Sequence, residues 1–122
     1  MDARTSSLAA ALIRQGWETA HSITAHLDGL SDATPNPDQE AAPYDKYIPI
    51  NQQRIKRIRK SLAKQGLSPA LLAAVRRVKA GTKMLVLNEF WCGDGAQILP
   101  VHEAMELISD CLLYTSDAAD DP

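Results

Sequence analysis

The stretch NEFWCGDGAQILP, residues 88–100, holds the side chains of this sequence best suited to chemistry. Its thiol, Cys92, follows an apolar run and precedes a helical pattern. Free backbone N–H groups and the positive end of the helix dipole favour the reactive thiolate at such a position. Gly93 and Gly95 let the backbone turn and leave the thiol open to approach. The pattern indicates a reactive thiol, with a small buried cysteine at a tight turn as the alternative.

Two neighbours of Cys92 are further candidate site residues. Trp91 would wall one side of the thiol, and the Asp94 carboxylate would tune it or exchange protons with it. The alternative for Asp94 is an acid favoured by the dipole in the first helical turn, with no catalytic role. Pro100 cannot donate an amide hydrogen within the helix, so a kink is expected there.

The elements that must position this corner follow from hydrophobic spacing and from capping residues. Helices are expected over residues 6–30 and from about Pro49 to Gly66. A further helix is expected from Ser68 to Gly81, because Ser68 is a good N-cap and is followed by proline. The proline-rich segment 31–43 is expected to be a loop, and residues 84–87 a strand. Trp17 and Phe90 are expected in the core.

Composition limits the function classes. The 122 residues suit one small domain, and 13 basic against 15 acidic side chains give a net charge of −2. Since no apolar run approaches the roughly 20 residues of a membrane span, we expect no membrane partner. The start of the chain shows no secretory signal, which predicts a cytoplasmic protein. Two cysteines argue against a disulfide scaffold.

Nucleic-acid and metal sites are not expected. The basic run at residues 54–60 is interpreted as a solvated helix face, because no aromatic platform accompanies it. His21, His26 and His102 do not have metal-ligand spacing with Cys92. We therefore expect neither a metal nor a cofactor.

The segment CLLYTSDAAD, residues 111–120, resembles a translated sequencing adapter, and Asp121 fits the same frame. Residues 111–122 are therefore predicted to be a non-native tail, the chain to be cut near Asp110, and Cys111 to lie outside its chemistry. The tail holds three aspartates and no base, so residues 1–110 carry 13 basic and 12 acidic groups, a net charge of +1. Such a balance offers no electrostatic argument for nucleic acid.

The segment FWCGDGAQILP resembles the active site of thioredoxins, where Trp-Cys-Gly-Pro-Cys opens a helix with a proline eight residues after the first cysteine. It is closer to a bacterial branch of that family with Trp-Cys-Gly-Asp and a helical N-terminal extension. The resemblance covers residues 44–109. It implies an α/β thioredoxin-like fold, truncated after its first strand and active-site helix and therefore mostly α. Residues 1–43 would be the N-terminal helix and linker, and 44–110 the first part of the domain.

The departures from the thioredoxin pattern matter for function. Gly95 stands in place of the second cysteine, Asp94 in place of the proline, and Val86 in place of the buried proton-relay acid. The cis-proline segment would follow Asp110, and the strand at 84–87 would lack ladder partners. The resemblance thus implies a single-cysteine thiol-disulfide oxidoreductase that forms mixed disulfides through Cys92 with glutathione or a thiol-bearing protein. The alternative is a non-catalytic binding or scaffold protein.

Overall fold

The computed structural model describes residues 2–108 and, for the backbone alone, residues 112–117. Within these residues the chain is mostly helical. The helices are α1 (Ala3–Thr19), α2 (Ile23–Asp32), α3 (Ile48–Gln65), α4 (Pro69–Arg76) and α5 (Gly93–Leu107), with a 3-10 turn at Asp45–Tyr47 before α3. The strands are β1 (His21–Ser22), β2 (Lys83–Asn88) and β3 (Leu112–Asp117). None of the described helices is long and apolar enough to span a membrane.

The strands form one sheet in the order β1-β3-β2. β3 runs parallel to β2, with Lys83 opposite Leu112 and Asn88 opposite Asp117, and antiparallel to β1. The expectation that residues 84–87 lack ladder partners is therefore wrong. Residues 112–117, LLYTSD, include tyrosine and threonine, which suit a pleated strand, and they supply the missing partner. The tail assigned from sequence thus contributes a strand, whereas Asp110 and Cys111 lie outside the described residues.

The N-terminal region is not the single helix expected over residues 6–30. α1 ends at Thr19, and Ser22 starts α2 as an N-cap whose hydroxyl accepts a hydrogen bond from the Ala25 amide at 3.1 Å. This local cap, together with pairing of β1 to β3, outweighs the continuous apolar spacing. Trp17, expected in the core, is 39% exposed, whereas Phe90 is half-buried and packs against the core.

The elements that lead to the corner agree more closely with expectation. α3 ends at Gln65, and Gly66 follows as its C-cap. The φ of Gly66 is 71°, a left-handed conformation that glycine adopts more readily than other residues. The Ser68 hydroxyl caps α4 by accepting from the Leu71 amide at 3.3 Å, and β2 contains the predicted strand. α4 ends at Arg76 rather than running to Gly81 as expected, because turns occupy the residues before that glycine.

The core lies between α2, α3 and α5, and it includes residues of the helix that begins at the Cys92 corner. Its buried side chains are Ile23, Leu27, Leu30, Ile48, Ile55, Ala96 and Leu99. Met84, Val86 and Phe90 pack against them from β2 and the loop that follows it. The strand and helix on either side of the corner are therefore both fixed to the same apolar cluster.

Arg59 joins the three core helices by ion pairs. Its guanidinium binds both carboxylate oxygens of Glu103 on α5, at 3.0 and 2.7 Å, and Asp28 on α2 at 2.9 Å. Burial alone would lower the pKa of Arg59, but hydrogen bonds to Glu103 and Asp28 outweigh it and raise that pKa. The basic run is thus not simply a solvated face, because at least this base holds helices together.

Candidate functional site

Cys92 lies where the chain turns from β2 into α5. It is the N-cap of α5, and its Sγ atom accepts a hydrogen bond from the Gly95 amide at 3.4 Å. The side chain is half-buried, so one side remains open to solvent. Backbone amides in the first turn of a helix can donate to an N-cap side chain, and they stabilise a negative charge better than a neutral thiol. The local geometry can therefore support thiolate chemistry.

An open cleft of about 430 Å³ lies beside the thiol. Its lining residues are Tyr44, Tyr47, Arg54, Trp91, Cys92, Gly93 and Asp94. The Trp91 ring stacks on the Tyr44 ring with centroids 4.9 Å apart and planes 29° apart, which forms one wall. The structure thus places all three sequence-predicted site residues, Trp91, Cys92 and Asp94, around one cleft.

Asn51 of α3 makes two hydrogen bonds next to this cleft. Its side chain is completely buried, and its Nδ2 donates to the Phe90 carbonyl at 2.9 Å. Its Oδ1 accepts from Arg54 Nη1, also at 2.9 Å. One amide therefore fixes both the backbone just before Trp91 and the guanidinium that lines the cleft with Cys92.

Gly93 allows the guanidinium to approach the corner. A Cβ atom added at this position would lie 2.8 Å from Arg54 Nη1. The absence of a side chain at Gly93 thus leaves room for the guanidinium in its observed position. Asp94 is exposed on the same cleft, and no ion pair within 4 Å joins it to Arg54 in the described part of the chain.

Gly95 lies against a buried polar pair. Asn88, at the end of β2, places its Nδ2 2.9 Å from Nε2 of His26 on α2, and both side chains are buried. A Cβ atom at Gly95 would collide with Oδ1 of Asn88 and would lie 2.7 Å from its Cγ. The space that a second motif cysteine would need is therefore occupied by Asn88.

Sequence reasoning missed Tyr44, Tyr47, Arg54 and Asn51. The charge pattern of residues 54–60 predicts one solvated face, although Arg54 differs from its neighbours by following Asn51 at the i+3 helical spacing. The spacing of Asn51 and Arg54 could have suggested that their side chains meet. Among residues 2–108, no group of three or more His, Cys, Asp or Glu side chains could hold a metal ion.

A family model described as thioredoxin matches residues 38–112, more than half of the chain, including α3, β2 and α5. The chain belongs to the thioredoxin family. Neither the curated proteins nor the solved structures contain a match to it. Within this thioredoxin-family chain, the strand–cysteine–helix corner is present, and Gly95 stands where the resemblance places a second cysteine.

Proposed function

We propose that this thioredoxin-family protein works through the single thiol of Cys92, as a monothiol thiol-disulfide oxidoreductase. The observation that carries the proposal is a half-exposed cysteine at the N-terminus of α5, open to a 430 Å³ cleft. Its partners would be glutathione or a thiol-bearing protein. A cytoplasmic setting, where most thiols stay reduced, would keep Cys92 available.

The reaction is a thiol–disulfide exchange. The Cys92 thiolate attacks one sulfur of a disulfide, a new Cys92–S bond forms, and the original S–S bond breaks. The released half leaves as a thiolate and takes up a proton from solvent, so Cys92 is oxidised and that half is reduced. A second external thiol then attacks the mixed disulfide, which restores Cys92.

The environment of Gly95 supports a single-thiol rather than a dithiol reaction. A motif dithiol would need a side chain at this position, and Asn88 occupies the required space. Trp91 would wall the reacting sulfur, and Asp94 would exchange protons with solvent or with the leaving thiol. The carboxylate also opposes the thiolate, which favours a moderate rather than a strongly activated nucleophile.

One observation favours the alternative, a non-catalytic binding or scaffold protein. Cys92 Sγ accepts a hydrogen bond from the Gly95 amide and so acts as a structural helix cap. Serine is also a good N-cap, so Cys92→Ser should preserve this role while removing the thiol. That substitution therefore separates structural from chemical use of the residue.

A reductase assay tests the proposal. The chain in a Cys111→Ser background is given bis(2-hydroxyethyl) disulfide and excess glutathione, and oxidised glutathione is followed. We expect turnover above the uncatalysed rate, abolished by Cys92→Ser at unchanged thermal stability. The reduction of insulin disulfides should not be accelerated, because that reaction is favoured by enzymes with two cysteines in the motif. Turnover equal in the Cys92→Ser protein would overturn the proposal.

A further inference from the structure

Arg54 gives the cleft a positive charge that the single-thiol reaction itself does not require. The guanidinium lies among the aromatic wall and the thiol, and its Nη1 is fixed by Asn51 at 2.9 Å. Asn51 is completely buried and bonded on its other side to the Phe90 carbonyl. The hydrogen bond to a buried asparagine thus fixes the guanidinium at the lining of the cleft.

A cation at this position is disfavoured by the helix dipole, and Asp94 is the acidic side chain that shares the cleft lining with it. Arg54 packs against Gly93, the first residue of α5, so a cation lies at the positive end of the helix dipole. In contrast to Arg59, which binds two carboxylates, Arg54 forms no ion pair with a carboxylate in the described residues. An incoming carboxylate would relieve this repulsion and accept charge-assisted hydrogen bonds from the guanidinium.

We infer that the cleft selects small disulfides that carry a carboxylate, and that Arg54 binds this group while one ligand sulfur reacts with Cys92. The inference rests on the proposed single-thiol function and names its substrate class. A cleft of about 430 Å³ is in the size range of small-molecule sites, and its stacked Tyr44–Trp91 wall offers apolar surface to the ligand chain.

The electron and atom balance is that of the exchange reaction. Cys92 bonds to one ligand sulfur, the ligand S–S bond breaks, and the other half departs as a thiolate. The carboxylate does not react, and Arg54 acts only in binding and orientation. Asp94 lines the same cleft, and its carboxylate repels the carboxylate of the ligand. Replacing Asp94 by a neutral residue should therefore strengthen the preference for disulfides that carry a carboxylate.

Three disulfides of similar length supply the test: 3,3′-dithiodipropionate, bis(2-hydroxyethyl) disulfide and cystamine, which are anionic, neutral and cationic. The second-order rate of mixed-disulfide formation is measured by mass spectrometry in the Cys111→Ser background. Each rate is divided by that of N-acetylcysteine amide with the same disulfide, which removes intrinsic differences. The variants are Arg54→Gln, Asp94→Asn and the control Arg57→Gln, an exposed base on the same helix.

We expect the normalised rates to fall from the anionic to the neutral to the cationic probe. Arg54→Gln should lower the anionic-to-neutral ratio about tenfold, equivalent to about 1.4 kcal/mol, Asp94→Asn should raise it, and Arg57→Gln should leave it unchanged. An unchanged ratio in Arg54→Gln overturns the inference, including the case in which both rates fall together because Arg54 only positions the corner. Absence of any reaction of Cys92 would instead defeat the proposed function.

Discussion

Asn88 restricts the side chain that can stand at position 95, beside the start of α5. Its side chain lies between His26 Nε2 and the backbone of Gly95, where a Cβ atom would collide with it. The buried Asn88–His26 pair is a satisfied polar contact, so displacing it leaves polar groups without partners. A second cysteine in the motif therefore conflicts with the packing beneath the helix start.

The first prediction follows from this conflict. Gly95→Cys alone should lower the free energy of unfolding by about 1–3 kcal/mol, the usual range for overpacking, and little disulfide should form between Cys92 and the introduced thiol. Asn88→Ala combined with Gly95→Cys provides room, so the disulfide should form more fully. Thiol counts under a fixed glutathione redox buffer measure disulfide formation in both variants. Equal disulfide formation in the single and double variants would contradict the steric account.

The second prediction concerns Asp94. Its carboxylate is two residues from Cys92 and lines the same cleft, so it repels a thiolate. Asp94→Asn should increase the rate of Cys92 alkylation by iodoacetamide at neutral pH severalfold, and added salt should increase the wild-type rate more than that of the variant. Asp45→Asn serves as a control outside the cleft lining. An unchanged rate in Asp94→Asn would show that this charge does not govern the thiol.

At the scale of elements, α3 fixes the site from behind. Asn51 connects this helix to the Phe90 carbonyl and to Arg54, and Arg59 connects it to α2 and α5. These contacts place the cleft wall and the core on the same helix. The corner that carries Cys92 is therefore tied to an asparagine 39 positions before Phe90 in the chain.

The third prediction tests the Asn51 contact. Asn51→Ala leaves the Phe90 carbonyl without this buried donor, so the free energy of unfolding should fall by about 1–3 kcal/mol. Gln53→Ala, at an exposed position of the same helix, should have little effect. Urea unfolding measures both variants. Equal stability of the two would mean that the Asn51 bond contributes nothing to the fold.

The fourth prediction concerns pH and the middle of α5. Burial lowers the pKa of His102, and its Nδ1 has no hydrogen-bond partner among the described residues. Protonation therefore costs more in the folded chain than in the unfolded one. The folded chain therefore keeps its full stability while His102 is neutral, above the ordinary histidine pKa of about 6.5. Part of that stability is lost as the pH falls through the lower pKa of His102 in the folded chain.

His102→Asn should reduce the loss of stability between neutral and mildly acidic pH. His21→Asn, at an exposed position, is the matched control. Thermal melts across that range compare the slopes of melting temperature against pH. If the slope of His102→Asn matches that of the wild type while His21→Asn alters it, the assignment to His102 is wrong.

At the scale of the whole molecule, the sheet depends on residues 112–117. These residues lie between β1 and β2 in the sheet and supply the parallel partner of β2.

The origin of residues 111–120 as a translated adapter stays a prediction. Amplifying the locus from source DNA should show a reading frame that continues past Asp110 without codons for CLLYTSDAAD. Genomic reads that retain those codons across the junction would contradict it.

The fifth prediction follows from the pairing of β3. Removing residues 111–122 deletes the partner of β2 and exposes the backbone groups of its ladder, so the melting temperature should fall and self-association should rise. Removing residues 118–122 alone keeps β3 and should have a smaller effect. Light scattering and thermal melts measure both. Equal behaviour of the two shortened chains would show that the β2–β3 pairing contributes no stability.

Local signals explain what the sequence could predict. The Ser68 cap, Gly66 and the apolar run before Trp91 each act within a few residues, and α4, the end of α3 and β2 begin or end close to where these signals indicate. The thioredoxin-like domain also followed from such a local motif. Local pattern thus sufficed wherever the determining contact was itself local.

The remainder depended on contacts between distant residues. Arg54 meets the corner only because α3 packs beside α5, and Asn88 blocks Gly95 only because His26 on α2 holds it. The break after Thr19 depends in part on pairing between β1 and β3. None of these partners could be paired from one sequence by helical or strand spacing.

The most direct test of the central claim is capture of the single-thiol intermediate. The Cys111→Ser protein is incubated with glutathione disulfide and analysed by intact mass and peptide mapping before and after dithiothreitol. We predict one glutathione adduct, located at Cys92, that persists until the external thiol is added and is absent in Cys92→Ser. An unmodified Cys92 under conditions that fully convert N-acetylcysteine amide would contradict it, because the cysteine would then be only a structural helix cap.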